Sequence, residues 1–346
     1  MNFRLGFLGL SIAPLLYGLQ TPAPGPIASD AVANMMQRIE RGETTLTYHP
    51  KRGYLDSVLK ELKINPDSQT LVFSKTSLQV NYVNRKNPRA LYFNDRTYVG
   101  WIPGAPLIEV MTINPEKGII FYTIRNEQLA KPRFEVDPRQ CFQCHGRRSE
   151  SQIPILFARS AFIAPSGYPQ TFARAITATP DVPIEDRWGG WYVSGTHGAV
   201  RHRGNEVAVG EGEDYKQDFE KGANVTDLSG YVDTSSYLSS HSDIAALMVL
   251  EQQMDIQNTL SSTIKQVRQI LAEHKDGQLS GEALKSFTTQ CEYLVGSLLG
   301  DGEAKLSEAL KGTSTFAESY SRSAPACKRG RRLSELDLKT RVHKYG

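Results

Sequence analysis

Scarce cysteine and a near balance of charges limit what this chain can be. Only four of its 346 residues are cysteine, whereas a closed structural zinc site usually takes four ligands from two paired clusters. Cys291 and Cys327 lie far apart and give no second pair. The formal net charge is only +3, so no nucleic acid partner is expected. The basic run KRGRR at 328–332 is followed at once by residues of both signs, which is typical of a solvated surface.

Several catalytic signatures are also missing. The sequence contains no G-x-S-x-G, no H-E-x-x-H and no G-x-x-x-x-G-K, so it lacks the local patterns of serine hydrolases, zinc proteases and P-loop enzymes. It has no internal repeat and no low-complexity tract. With 40% hydrophobic and 22% charged residues, its composition is that of an ordinary folded globular protein.

The N-terminus has the layout of an export signal. MNFR supplies a positive start, and LGFLGLSIAPLLYGL supplies about fifteen mostly apolar residues before TPAPGP. This run is shorter than the roughly twenty residues that span a bilayer, and Pro14 interrupts it. We therefore predict that residues 1–28 are a signal peptide and that the protein is periplasmic. Neither Ala23 nor Ala28 gives a clean cleavage pattern, so an uncleaved anchor in the inner membrane is the alternative.

The middle of the chain predicts an antiparallel sheet. Between residues 70 and 125, short runs rich in β-branched and aromatic residues are separated by turn formers such as Asn94-Asp95 and Pro103-Gly104. This spacing is typical of a meander of strands. Two further strands are expected around the turn Pro165-Ser166-Gly167.

The last third predicts helices. Apolar residues recur in steps near three and four from Ser242 to His274, which indicates one long helix or a kinked pair. Two more helices are expected near 281–299 and 301–311. The predicted fold class is therefore α+β, with a β-rich antiparallel body over 29–235 and a helical region over 236–346.

One short motif carries the chemistry. In CFQCH, Cys141 and Cys144 stand three residues apart and His145 follows directly. A redox dithiol would require a surrounding βαβ pattern, which the chain lacks, and a plain disulfide is a third interpretation. C-x-x-C-H is also the attachment signal for c-type haem. On one helical turn both sulfurs face the same way and could form thioethers with one porphyrin, while His145 supplies the proximal iron ligand.

The ligand on the other side of the iron distinguishes an electron carrier from an enzyme. A His or Met there gives a closed six-coordinate carrier, and an open position lets small molecules bind. We rank His197 first, because RWGGWYVSGTHG combines aromatic residues with glycines that allow close approach to a flat ligand. His241 ranks second and Met248 third, and His202 and Met254 are further candidates.

The motifs also carry a resemblance. NPRALYFNDRTYVGWIPGAPLIEV, CFQCHG, EDRWGGWYVSGTHG with RHRGN, HSDIAALMVLEQQ and RRLSELDLKTR resemble a group of large exported bacterial proteins described as cytochrome c domain-containing. The resemblance spans roughly residues 55–342. It implies that Cys141 and Cys144 attach haem and that His145 binds iron, and it makes His197, His202 and His241 recurring positions. This chain departs from the group at Arg203, where an apolar residue or Met is expected.

Together these observations predict an exported monohaem c-type cytochrome with one covalently attached haem c. It would pass single electrons to a redox partner protein in the periplasm, and it would touch a membrane only if the N-terminal segment is uncleaved. The alternative is a haem enzyme or sensor whose open distal site takes peroxide, a nitrogen oxide or another small ligand. A disulfide between Cys291 and Cys327 is permitted outside the cytoplasm.

Overall fold

The computed structural model describes residues 30–136, 138–146, 153–210, 214–274 and 278–323. The predicted signal segment, Cys327 and the KRGRR run lie outside these ranges. No helix within them is long and apolar enough to cross a membrane.

A seven-stranded antiparallel sheet forms the body, with strand order β6-β5-β4-β3-β2-β1-β9. Its strands are β1 (Thr70–Val72), β2 (Arg89–Phe93), β3 (Thr97–Trp101), β4 (Leu107–Asn114), β5 (Gly118–Arg125), β6 (Phe134–Val136) and β9 (Trp191–Tyr192). Two short pairs stand apart: β7 (Ala158–Ser160) with β8 (Ile176–Ala178), and β10 (Gly195–Thr196) with β11 (Lys311–Gly312). The predicted meander over 70–125 is confirmed.

The described residues also form six α-helices. They are α1 (Ala31–Glu40), α2 (Leu55–Glu61), α3 (Pro138–His145), α4 (Ile244–Glu273), α5 (Gly281–Leu299) and α6 (Phe316–Ser323). The α+β class is confirmed, with the sheet in the N-terminal and central part and helices toward the C-terminus. The segment from Ser242 to His274 forms one 30-residue helix, and the helix over 281–299 is also confirmed.

The predicted helix over 301–311 is wrong. Gly300 adopts φ +77° at the end of α5, and Gly302 adopts φ +80° two residues later. A left-handed glycine stops a helix without steric cost. The chain that follows is not helical before α6: the Ala304 amide donates to the Pro180 carbonyl at 2.8 Å, and Lys311 pairs with Thr196 in β11 and β10.

Successive side chains of a strand point to opposite faces of a sheet, so each face of this sheet presents its own set of residues to the rest of the fold. One face packs on α1 and α2 through residues such as Tyr92, Trp101 and Val110. The other, here called the cavity face, includes Val72, Arg89, Leu91, Tyr98, Gly100, Glu109, Met111, Phe121 and Trp191. In β4 the residues of the first face are buried while Glu109 and Met111 are only half-buried.

Helix α4 covers the cavity face. Its buried residues Ile244, Leu247, Leu250 and Met254 fall in steps of three and four and pack with Val72, Tyr98 and Phe121. Asp243 caps the helix by accepting from the Ala245 amide at 2.7 Å, and its other oxygen accepts from Ser314. The cap therefore ties the start of α4 to the chain that follows β11.

A buried ion pair anchors the first third of α4. Arg187 donates to Glu251 at 3.2 Å, and their side chains are 3% and 1% exposed. The same guanidinium donates to the Val182 and Pro180 carbonyls, both at 2.7 Å. Burial raises the pKa of Glu251 to about 7, although Arg187 acts to lower it.

The substitution Arg187→Met should cost about 3–5 kcal/mol of unfolding free energy, because it leaves a buried carboxylate unpaired. An acid whose pKa is raised in the folded state binds its proton more tightly there, so stability falls as pH rises toward that pKa. Removing Arg187 pushes the pKa of Glu251 higher still. Urea unfolding should therefore show a smaller loss at pH 5 than at pH 8.

The control for this substitution is Glu251→Gln, which keeps the hydrogen-bonding shape without a titrating carboxyl. Its unfolding free energy should lack the pH dependence assigned to Glu251. An equal loss in Arg187→Met at both pH values would contradict the interpretation.

Candidate functional site

Helix α3 brings the three residues of the motif together. Cys141, Cys144 and His145 all lie on Pro138–His145, and all three line one cavity beside the sheet. Cys141 is half-buried and Cys144 is exposed. The Phe142 ring lies 6.1 Å from that of Phe121 on β5, which seats the helix against the sheet.

His145 is held in one tautomer. Its Nδ1 lies 2.7 Å from the Ile155 carbonyl oxygen, and because a carbonyl only accepts, Nδ1 carries the hydrogen. The lone pair is then on Nε2. The Ile155 amide returns a bond to the His145 carbonyl at 3.0 Å. Burial lowers the pKa of His145, which favours the neutral imidazole that a metal requires.

Two aromatic rings fix the plane of this imidazole. The Phe121 and Phe157 ring centroids lie 5.1 Å and 5.0 Å from that of His145. Hydrogen bonding of one nitrogen to a carbonyl, with the other left free, is the usual arrangement of a metal-binding histidine. Ile155 and Phe157 thus support His145 directly.

The cavity extends from α3 across the sheet and has a volume of about 380 Å³. This is within the usual range for small-molecule and cofactor sites. Its walls are mainly apolar and come from several elements: Val72, Leu91, Met111, Phe121, Phe157, Trp191 and Met254. Two cysteine thiols in the lining, an imidazole lone pair and apolar walls are the groups that a covalently bound haem requires, so the residues present fit that cofactor.

An ion pair crosses the floor of the cavity. Arg89 on β2 pairs with Glu109 on β4, across Gly100 on the strand between them. A β-carbon at Gly100 would collide with the Arg89 guanidinium, so glycine is required for this crossing. Gln79 donates to Glu109 at 3.0 Å and holds the carboxylate from the other side.

Tyr98 adds a second polar group to the same floor. Its side chain lines the cavity and is only 5% exposed. Its hydroxyl has no hydrogen-bond partner among the described residues. Burial raises the pKa of Tyr98, with a further contribution from Asp95, so the phenol is neutral and can donate a hydrogen bond.

The structure does not bring His197 to this cavity. Its Nδ1 donates to the Val200 carbonyl at 2.8 Å, and its Nε2 accepts from the Asn224 amide at 2.9 Å. Both ring nitrogens are therefore in use. His202 packs beside it with ring centroids 4.8 Å apart, and its Nδ1 accepts from the Gly204 amide.

The other candidates divide between the cavity and the rest of the fold. His241 lies 3.3 Å from the Ser240 hydroxyl and is outside the cavity lining. Met248 of α4 is partly buried and packs against the core, also outside that lining. Met254 is within it.

Arg203 pairs with Asp186, and its guanidinium lies 4.3 Å from the Phe162 ring centroid.

The glycines of the RWGGWY run serve the backbone. A β-carbon at Gly189 would collide with the carbonyl of Ala161, and one at Gly190, where φ is +93°, would meet Ser74 at 2.7 Å. These close approaches involve neighbouring chain segments. Trp191 lines the cavity, while its indole donates to the Arg159 carbonyl at 2.8 Å.

Several residues of the cavity were not predicted from sequence motifs. Arg89, Tyr98, Gly100 and Glu109 fall within the run NPRALYFNDRTYVGWIPGAPLIEV, whose residue pattern indicates no particular chemistry, yet they share one face of β2, β3 and β4. The alternation of each strand could have grouped them, but only the strand register shows that they lie side by side. Within the described ranges, the CFQCH motif included, no group of three or more His, Cys, Asp or Glu is arranged to hold a metal ion.

Comparisons with protein-family models, curated proteins and solved structures found no match to this chain. The functional assignment therefore depends on the residues and geometry of the cavity.

The crossing over Gly100 can be tested by Gly100→Ala. The new methyl group displaces the Arg89 guanidinium and weakens its bond to Glu109, which should cost about 1–3 kcal/mol in urea unfolding. Gly230→Ala is the control, because a β-carbon there meets nothing within 4 Å. In a double-mutant cycle, Arg89→Ala should relieve part of the cost. Strictly additive losses would contradict the contact.

Proposed function

We propose that the protein binds one haem c covalently through thioethers at Cys141 and Cys144, with His145 Nε2 as the proximal iron ligand. The hydrogen bond from His145 to the Ile155 carbonyl carries this proposal, because it leaves the Nε2 lone pair free in a cavity that both thiols also line. The resemblance to exported cytochrome c domain-containing proteins supports the same three residues.

The proposed activity is single-electron transfer to a redox partner protein in the periplasm. A bound haem would supply the one-electron couple, and the protein would supply its orientation and surroundings. Cys144 is exposed and Phe142 is 38% exposed, so the attachment edge would lie where a partner can approach. Redox encounters use small transient interfaces, which suits such an edge. Membrane attachment is proposed only for a chain that keeps its N-terminal segment.

Covalent attachment can be tested in cells that carry out cytochrome c maturation. Cys141→Ala and Cys144→Ala should each lose one thioether, and the double variant should lose all haem that survives denaturing electrophoresis. Cys291→Ala, a free cysteine on α5 outside the cavity lining, should keep full covalent haem. Absence of covalent haem in the unaltered protein would refute the proposal.

A second candidate function is favoured by Tyr98. A buried hydroxyl without a partner costs free energy, and a small ligand bound to iron could accept its hydrogen bond. The Arg89 Nε is likewise buried without a partner among the described residues. Since Glu109 neutralises Arg89, this floor suits a neutral ligand better than an anion. The protein would then be a haem enzyme or sensor.

This second function predicts an effect of Tyr98→Phe on the carbon monoxide complex of the reduced haem protein. Loss of the hydrogen bond should raise the CO stretching frequency in the infrared spectrum. The control is Tyr92→Phe, whose hydroxyl bonds to Gln69 on the other side of the sheet. Equal frequencies in all three proteins, or failure to bind CO, would count against an open site served by Tyr98.

A further inference from the structure

The cavity lining limits which side chain can face His145 across a bound haem. His145 is the only histidine among the described lining residues, and the lining contains two thioethers, Met111 and Met254. A methionine opposite a histidine is a common ligand pair of c-type cytochromes. The Glu109 carboxylate is engaged by Arg89 and Gln79, and the Tyr98 phenol is neutral.

The two methionines approach from different walls. Met111 pairs across the strands with Phe121, whose ring lies 5.1 Å from His145. Such partners have β-carbons about 5 Å apart, so Met111 belongs to the wall that supports His145. Met254 comes from α4, which covers the cavity face. Only Met254 therefore approaches from an element separate from the sheet that supports the imidazole.

Contacts on both sides hold Met254 in place. Glu251 and Asn258 lie three residues before and four residues after it, on the same face of the helix. Glu251 pairs with Arg187 at 3.2 Å. The Asn258 side chain accepts from the Leu156 amide at 2.8 Å and donates to the Leu156 carbonyl at 2.7 Å. Leu156 follows Ile155, which accepts the hydrogen bond of His145.

We infer that Met254 is the sixth iron ligand, through its thioether sulfur. This assignment rests on the proposed haem at Cys141, Cys144 and His145. Met254 is 7% exposed, so its side chain is already ordered and loses little entropy on binding. A six-coordinate iron makes the protein an electron carrier and closes the site that the second candidate function requires.

The test is the spectrum of covalently loaded Met254→Leu, a change of nearly constant volume that the core should tolerate. The ferric protein should lose the weak charge-transfer band of a sulfur-ligated iron in the far red. Its resonance Raman spin-state markers should move from low to high spin, and its reduction potential should fall. The matched control Met248→Leu makes the same chemical change outside the cavity lining and should keep the wild-type spectrum.

The possible outcomes distinguish an error in the assignment of Met254 from an error in the proposed haem binding. A loaded Met254→Leu protein with an unchanged low-spin spectrum would overturn the assignment, and so would a wild-type protein that is high-spin. Loss of the band in Met111→Leu or of low spin in His197→Gln, with Met254→Leu unaffected, would move the ligand to that residue. A wild-type protein without covalent haem would refute the proposed function and this assignment with it.

Discussion

The hydrogen bond between His145 and Ile155 is the contact on which the site depends. It fixes the imidazole tautomer, and the returning bond from the Ile155 amide joins the end of α3 to the chain beyond it. The next residue, Leu156, is held at both its amide and carbonyl by Asn258 of α4. Each bond contributes only about 1 kcal/mol. Together they link α3 to α4 through the 155–157 segment.

The sheet explains why a cavity exists beside these bonds. Its first face is filled by large apolar residues against α1 and α2. On the cavity face, Gly100 has no side chain, and Arg89 crosses it to reach Glu109. A flat ion pair takes the place of a bulky apolar residue at that point. The half-buried β4 residues Glu109 and Met111 therefore border open space rather than a packed layer.

Hydrophobic periodicity predicted the helices and strands better than the contacts between them. The meander and the helices α4 and α5 follow from local patterns, which a single sequence displays directly. The prediction of a helix over 301–311 is wrong because the positive φ of Gly300 and Gly302 and the hydrogen bond from Ala304 to Pro180 outweigh the helical composition of the segment. The position of His197 depends on Asn224, a residue 27 positions away, and no local pattern reveals such a contact. Gly189 and Gly190 of the same run allow the close approach of Ala161 and Ser74.

The CFQCH motif predicted one wall of the site, whereas tertiary packing determines the other. Met254 and Met248 are both apolar positions of one amphipathic helix, and spacing alone does not separate them. Only Met254 lines the cavity. The buried pair of Arg187 and Glu251 fixes the rotation of α4 one turn earlier, at the desolvation cost that raises the pKa of Glu251. A costly buried charge pair can be retained where it specifies one geometry, and here that geometry directs a thioether into the cavity.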